Sequence, residues 1–204
     1  MNRYEKLMND NELKEVVGNI EGRGINVILV NTRTEALEKI KKLIPKNSEV
    51  YNGGSSTLNE IGFLDYLKTN KHGWINLHEE ILREKDPKKQ ADLRRKSVTS
   101  EYFLGSINAI AKTGELVACD ATGSRVTAYP FAAKNLILVS GMNKITNSLE
   151  DAIKRVREYV YPLENERAKK AYGSGSTIGK WVIIEREIFK GRTTLILVKE
   201  KLGF

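Results

Sequence analysis

The chain has 204 residues, which fits one domain with a core large enough to need no covalent staple. Hydrophobic residues make up 40% and charged residues 29%, which excludes a disordered chain. Its one cysteine, Cys119, excludes an internal disulfide framework and a thiolate metal cluster.

Residues 2–20 are polar with an apolar stripe at Leu7, Leu13, Val16, Val17 and Ile20, the pattern of a helix, ended by Gly22 and Gly24. Residues 1–24 are taken as an N-terminal helical extension of one α/β domain spanning 1–204. The run INVILV at 25–30 predicts a buried strand. Thr32 or Thr34 can cap the next helix, and Pro45 lies just past its end. A brief strand at 49–51 leads into Asn52-Gly53-Gly54-Ser55-Ser56-Thr57. There Thr57 and Glu60 have the spacing of a capping box, and Leu58, Ile61, Leu64 and Leu67 share one helical face. A strand, a glycine turn and a helix in that order aim backbone N–H groups and a dipole at a ligand. A well-capped tight turn has the same sequence, so this stretch alone decides nothing.

Residues 74–77 read as a short strand, and Asp86-Pro87 opens a charged helix to about Ser97. Ile107–Lys112 and Glu115–Asp120 flank Thr113-Gly114 as a β-hairpin. NLILVS at 135–140 is another buried strand. Residues 148–159 form an amphipathic helix that Pro162 is expected to stop, and 181–185 and 194–199 are closing strands. Alternating strands and helices predict a mixed, mostly parallel sheet with helices on both faces.

Several candidate sites fail on spacing. His72 and His78 are six apart, whereas a zinc-binding helix places two histidines four apart, so no metal is expected and both histidines are taken as surface or supporting groups. GSGSTIGK at 173–180 lacks the phosphate-loop pattern, and a strand rather than a helix follows it, so a flexible surface loop is expected. Ser55 and Ser56 have no base nearby in sequence, Cys119 reads as a buried inert thiol, and Asp120 and Glu115 read as hairpin-edge carboxylates. Arg125 and Lys144 each follow a strand through a small polar loop, and fixed cations there would suit a carboxylate or phosphate.

The stretches NGGSSTLNEIGFLDYL (52–67), SINAIAKTGELVACDATGSRV (106–126), SGMNKI (140–145), IKRVREYVYPLENERA (153–168) and GRTTLILVKEKLGF (191–204) resemble the lactate-utilisation (LUD) domain family, in the family's order. The resemblance implies a fold of the glucosamine-phosphate isomerase, ribose-phosphate isomerase and CoA-transferase type. It also implies a link to oxidation of L-lactate to pyruvate, with iron–sulfur oxidoreductase subunits as possible partners. Relatives have Asn at the place of Ser124 and Gly-Pro at Ala132-Ala133, and many carry a cysteine-rich segment after the position of Arg167. Here AKKAYGSGSTIGK stands in that place, so no cluster-binding role is expected. The resemblance assigns a ligand site to Gly53, Gly54, Ser55, Ser56, Thr57, Asn108, Asp120, Gly123, Arg125, Asn143 and Lys144. It assigns neither a catalytic residue nor a cofactor.

The leading expectation is a domain of organic-acid utilisation that binds a small anionic ligand. The alternative is a non-catalytic or regulatory subunit of an oxidoreductase complex. The net charge of +8 favours anionic partners, but the basic residues are interspersed with acids and aromatics are only 7%, so nucleic acid is a poor fit. MNRYEKLMND has no apolar signal region and no run approaches membrane-spanning length, so a cytoplasmic setting, without a membrane, is expected. Self-association into a dimer is common among soluble proteins, so a homodimer is an open expectation that no residue here fixes. Elemental analysis of the purified protein should show neither zinc nor iron in stoichiometric amount.

Overall fold

The computed structural model describes residues 3–204. Helix α1 (Asp10–Gly22) starts at a capping box in which Asn9 and Glu12 bond each other's backbone. It begins later than the sequence pattern suggests, leaving Leu7 exposed; residue 2 lies outside the described residues. Strand β1 (Asn26–Val30) leads to α2 (Arg33–Leu43), capped by the Thr32 hydroxyl. Next come β2 (Glu49–Asn52), α3 (Ser56–Glu60), α4 (Phe63–Lys68), the two-residue β3 (Ile75–Asn76), α5 (Leu77–Arg83) and α6 (Pro87–Ser97). The single helix expected after Gly54 is thus two short ones, parted at Ile61-Gly62. Its cap is the Ser55 hydroxyl rather than a Thr57–Glu60 box, because Lys144 occupies the Thr57 hydroxyl. The charged helix α6 starts and ends as its sequence suggests, with Asp86 as cap.

Strand β4 (Tyr102–Gly105) precedes the hairpin of β5 (Ala109–Ala111) and β6 (Leu116–Asp120). Strand β7 (Asn135–Gly141) and the two-residue β8 (Ile145–Thr146) lead to α7 (Leu149–Arg155), a π-helical segment Val156–Val160 and α8 (Tyr161–Tyr172). Pro162 does not end the helix. The wider π turn places it in the first turn of α8, where a missing N–H costs nothing. Strands β9 (Lys180–Ile184) and β10 (Thr193–Val198) close the chain.

The strands form two sheets. Six are parallel, in the order β1-β10-β7-β4-β2-β3. All antiparallel pairing is confined to a four-stranded sheet in the order β8-β5-β6-β9. Strand β1 lies at an edge, so its apolar run is only half-buried. Alternate residues of the parallel strands feed two cores. Phe103, Leu136, Leu138, Leu195 and Leu197 pack with Leu13, Val16 and Ile20 of α1 and with Ile110, Leu116 and Ala118 of the small sheet. Leu104, Ile137, Val139, Ile196 and Val198 pack under α2, α3 and α4 on the other face. A third cluster joins the outer face of the small sheet to α7 through Ala109, Val117, Ala152 and Val156.

The link between β9 and β10 is pinned by a buried ion pair. Arg192 binds Glu187 at 2.8 Å and also donates to the carbonyls of Ala128, Tyr129 and Ala133. Burial pushes the Glu187 carboxyl up, but the Thr193 hydroxyl, the Phe189 N–H and Arg192 together hold it below the usual glutamate range. Glu187→Ala leaves Arg192 buried without its charge partner and should cost about 3 kcal/mol in denaturant unfolding. A carboxyl lowered on folding stabilises above its unfolded pKa and loses that contribution as pH falls through the folded value. The gap between wild type and variant should therefore narrow in acid.

Candidate functional site

The parallel strands all point their C-terminal ends to one edge, and the chain reverses its direction across the sheet between β2 and β4. The connection after β2 runs outward to β3 over one face; the connection after β4 runs inward to β7 through the small sheet on the other. Such a switch point opens a crevice between the diverging loops. A cleft of about 790 Å³ lies there, lined by Gly54–Thr57, Ser106–Asn108 and Lys144.

Lys144 forms the floor and is 2% exposed. Its Nζ donates to or accepts from the Thr57 hydroxyl at 3.0 Å and the Ser106 hydroxyl at 3.0 Å, and it donates to the Ile107 carbonyl at 3.1 Å. Among the described residues no carboxylate pairs with it. Burial, then the charges of Arg155 and Arg125, push its amine well below the ordinary lysine range.

Arg125 reaches the cleft from the loop after β6. Its guanidinium donates to the carbonyls of Cys119 at 2.5 Å and Ser106 at 3.5 Å and also meets the Tyr129 hydroxyl. Asp120 accepts the Arg125 backbone N–H at 2.9 Å, which fixes the turn. Gly53 passes directly beneath the Arg125 stem; a Cβ there would meet Arg125 Cγ at 2.5 Å. Arg155 stands fully buried behind the floor, donating to the carbonyls of Asn108 at 2.6 Å and Asn143 at 3.5 Å, with its Nε unpartnered. Burial lowers it to about 10, which leaves it cationic at neutral pH.

Of the residues expected at the site, Gly54, Ser55, Ser56, Thr57, Asn108, Asp120, Arg125 and Lys144 line the cleft together. Gly53, Gly123 and Asn143 do not, and act behind it. Asn108 spends its side-chain oxygen on the Cys119 N–H at 2.8 Å. The helix starting at Ser56 has five residues, too short for a useful macrodipole, so the 53–57 stretch contributes hydroxyls and close backbone rather than a dipole end. Asn143 turns away and holds the segment after β10: its oxygen accepts the Leu202 N–H at 3.0 Å, and its amide donates to the Gly203 carbonyl at 3.4 Å. Glu60 accepts the Gly203 N–H at 2.9 Å. With φ at +58°, Gly203 crosses over the floor, where a Cβ would meet the Thr57 hydroxyl at 2.5 Å and Lys144 Nζ at 3.2 Å.

Sequence reasoning missed Ser106, whose signal is its place directly after a parallel strand. It also missed the opposite wall of the cleft. There the π segment contributes Val156 and Val160, α8 contributes Tyr161 and the Glu164–Arg167 pair, and loop 173–179 contributes Thr177 and Ile178. That loop is tied at its middle and at its C-terminal end rather than loose. Asn165 accepts the Ser176 N–H at 2.9 Å, and the Gly179 N–H reaches the Asp120 carbonyl at 3.2 Å.

Other candidates fall away from the cleft. Glu115 lies at the far end of β6 from Asp120 and pairs with Arg23, so the two make no acid–base couple. Burial pushes the Cys119 thiol up, the state of an inert thiol. His72 is buried rather than on the surface, its Nδ1 accepting the Trp74 N–H, and His78 stacks on Tyr51. Among the described residues no His, Cys, Asp and Glu gather closely enough to hold a metal ion, and no helix is long and apolar enough to cross a membrane.

Asn143→Ala should leave the fold intact and loosen only the segment over the floor. Losing bonds worth about 1.5 kcal/mol should speed amide hydrogen exchange at Leu202 and Gly203 by roughly tenfold, with β7 amides unchanged.

Comparison with known proteins agrees with this architecture. A crystal structure of a DUF162 family protein from Deinococcus radiodurans is 14% identical, with a TM-score of 0.51 over 95% of this chain and 99% of that one. At that identity the likeness speaks for the fold alone. No curated protein matches the chain. The LUD domain family model matches residues 13–198, from the core-facing turn of α1 to the end of β10. The chain therefore belongs to the LUD domain family, which is associated with lactate utilisation.

Proposed function

We propose that the cleft binds a small anionic ligand, a carboxylate or a phosphate, in the service of organic-acid utilisation. One observation carries the reading: Lys144, Arg125 and Arg155 converge at the floor of a cleft, and their side-chain donors meet hydroxyls and carbonyls but no carboxylate. Buried or half-buried basic groups whose side chains pair with no carboxylate are costly to hold as cations in the empty protein. An anion is the partner that would relieve that cost. Arg125 supplies a permanent charge and a planar fork of donors. The hydroxyls of Ser55, Ser56 and Thr57 add neutral donors beside it.

Lys144 couples binding to pH. In the empty cleft burial and the neighbouring guanidiniums disfavour its ammonium form. A bound anion favours the ammonium, so binding takes up a proton. The affinity therefore falls as pH rises from the depressed value of the empty site towards the value in the complex.

The test uses phosphate, L-lactate and pyruvate as probes, read by melting temperature and calorimetry. At least one should raise the melting temperature by mass action. Arg125→Ala, with an unchanged circular dichroism spectrum, should weaken that probe by roughly tenfold to a hundredfold, the worth of a charge-assisted hydrogen bond. Calorimetry in buffers of different ionisation enthalpy should show uptake of up to about one proton, lost in Lys144→Met. If no probe shifts the melting temperature of the wild type, the reading fails.

A further inference from the structure

The geometry points to a further activity at the same site: the Lys144 amine forms a Schiff base with the carbonyl of a 2-oxo acid whose carboxylate is held by Arg125. This rests on the anion reading of the cleft. Among the described residues Lys144 is the only lysine that lines it, and every other charged wall residue is an arginine or a carboxylate. Several lysines elsewhere on the chain sit in ion pairs, as Lys41 does with Glu38 and Lys199 with Asp10. The Lys144 amine meets only two hydroxyls and a carbonyl.

A neutral amine has two N–H donors and one lone pair. The Ile107 carbonyl takes one N–H, one hydroxyl takes the other, and the remaining hydroxyl faces the lone pair. The same lone pair becomes the nucleophile when a ligand displaces that hydroxyl, and with no ion-pair partner among the described residues the amine is not committed to a carboxylate. In the step, the lone pair adds to the carbonyl carbon and a C–N bond forms. Both amine hydrogens pass to the former carbonyl oxygen, the C–O bond breaks, and water leaves. The imine then takes a proton from solvent. No oxidant or reductant is consumed. The hydroxyls of Ser106 and Thr57, each 3.0 Å from Nζ, are in place to hydrogen-bond the carbinolamine oxygen. The resulting iminium is a cation beside the acid's carboxylate, so the charge the floor lacks in its neutral form returns in the covalent adduct. A cleft of about 790 Å³ leaves room beyond a three-carbon acid, and Val156, Val160 and Ile178 offer that extra chain an apolar wall.

The experiment incubates the full chain with pyruvate or phenylpyruvate and cyanoborohydride, which reduces only the imine to a stable amine. Intact mass should rise by the mass of the acid less one oxygen atom, and peptide mapping should place the adduct on Lys144. Labelling should saturate with acid concentration, fall when L-lactate or phosphate competes, and be absent from Lys144→Arg. The mapping is read on the wild type, so it stands even if that variant does not fold. Calorimetric binding of pyruvate without an adduct on Lys144 would overturn the Schiff base and leave the anion reading intact. Adducts spread evenly over exposed lysines would also overturn it. Failure of pyruvate, L-lactate and phosphate alike to bind would remove the anion reading and the Schiff base with it.

Discussion

A lysine amine under a cleft, with no carboxylate to meet it, is the constraint around which this site is built. Burying an ammonium is expensive, and the usual remedy is an acidic neighbour. Here the bonded neighbours are the Thr57 and Ser106 hydroxyls and the Ile107 carbonyl, and two guanidiniums raise the cost further, offset only in part by the more distant charge of Glu60. Arg155 is in the same condition, bonded to backbone carbonyls of Asn108 and Asn143. Those bonds tie the start of the hairpin to the turn that carries Lys144, so the group that disfavours the ammonium also positions it.

Such an arrangement persists only if its surroundings cannot relax. Thr57, Ser106 and Lys144 follow β2, β4 and β7, three neighbouring strands of the parallel sheet. Each of the two main cores clamps those strands from one face. Above the floor, Asn143 and Glu60 hold the segment through Leu202 and Gly203. The loops diverge at the switch point, which makes the space; the strands beneath them are packed on both sides, which keeps the polar groups where the space opens.

Much of this was legible in the sequence, and the gaps have physical causes. INVILV, NLILVS and the hairpin about Thr113-Gly114 show as uninterrupted apolar runs with clean punctuation. Strand β4 does not, because YFLG is short and merges with the hairpin that follows. Pro162 misled because a proline is normally a stop, and a π turn that absorbs one leaves no mark in composition. The Thr57–Glu60 spacing misled because both side chains serve distant partners, Lys144 and Gly203, and capping rules see only local ones. At the site, Arg125 and Lys144 were visible as cations after strands. Asn143 was visible too, but the direction of its side chain depends on the segment sixty residues later that it binds. The separation of the antiparallel strands into their own sheet was hidden for the same reason: pairing partners are a tertiary fact.

The two walls of the cleft differ in kind, and that difference bears on the ligand. The wall built from the parallel strand ends and the loop after β6 is largely polar, with the hydroxyls of Ser55, Ser56, Thr57 and Ser106 and the cations of Lys144 and Arg125. The facing wall comes from the π segment, α8 and the 173–179 loop, and it mixes the apolar Val156, Val160, Ala168 and Ile178 with Tyr161, Ser176, Thr177 and the Glu164–Arg167 pair. That pair is bidentate, with both contacts at 2.7 Å, so the Arg167 charge is already answered and adds little pull on an anion. An anionic head would therefore be drawn to one side only. The charge requirement is local to Arg125 and Lys144, while the apolar surface opposite favours a ligand that carries carbon beyond its acid group. A ligand with both features would bury its head against the strands and its remainder against the helices. On the anion reading, the cleft would select for orientation as well as for charge.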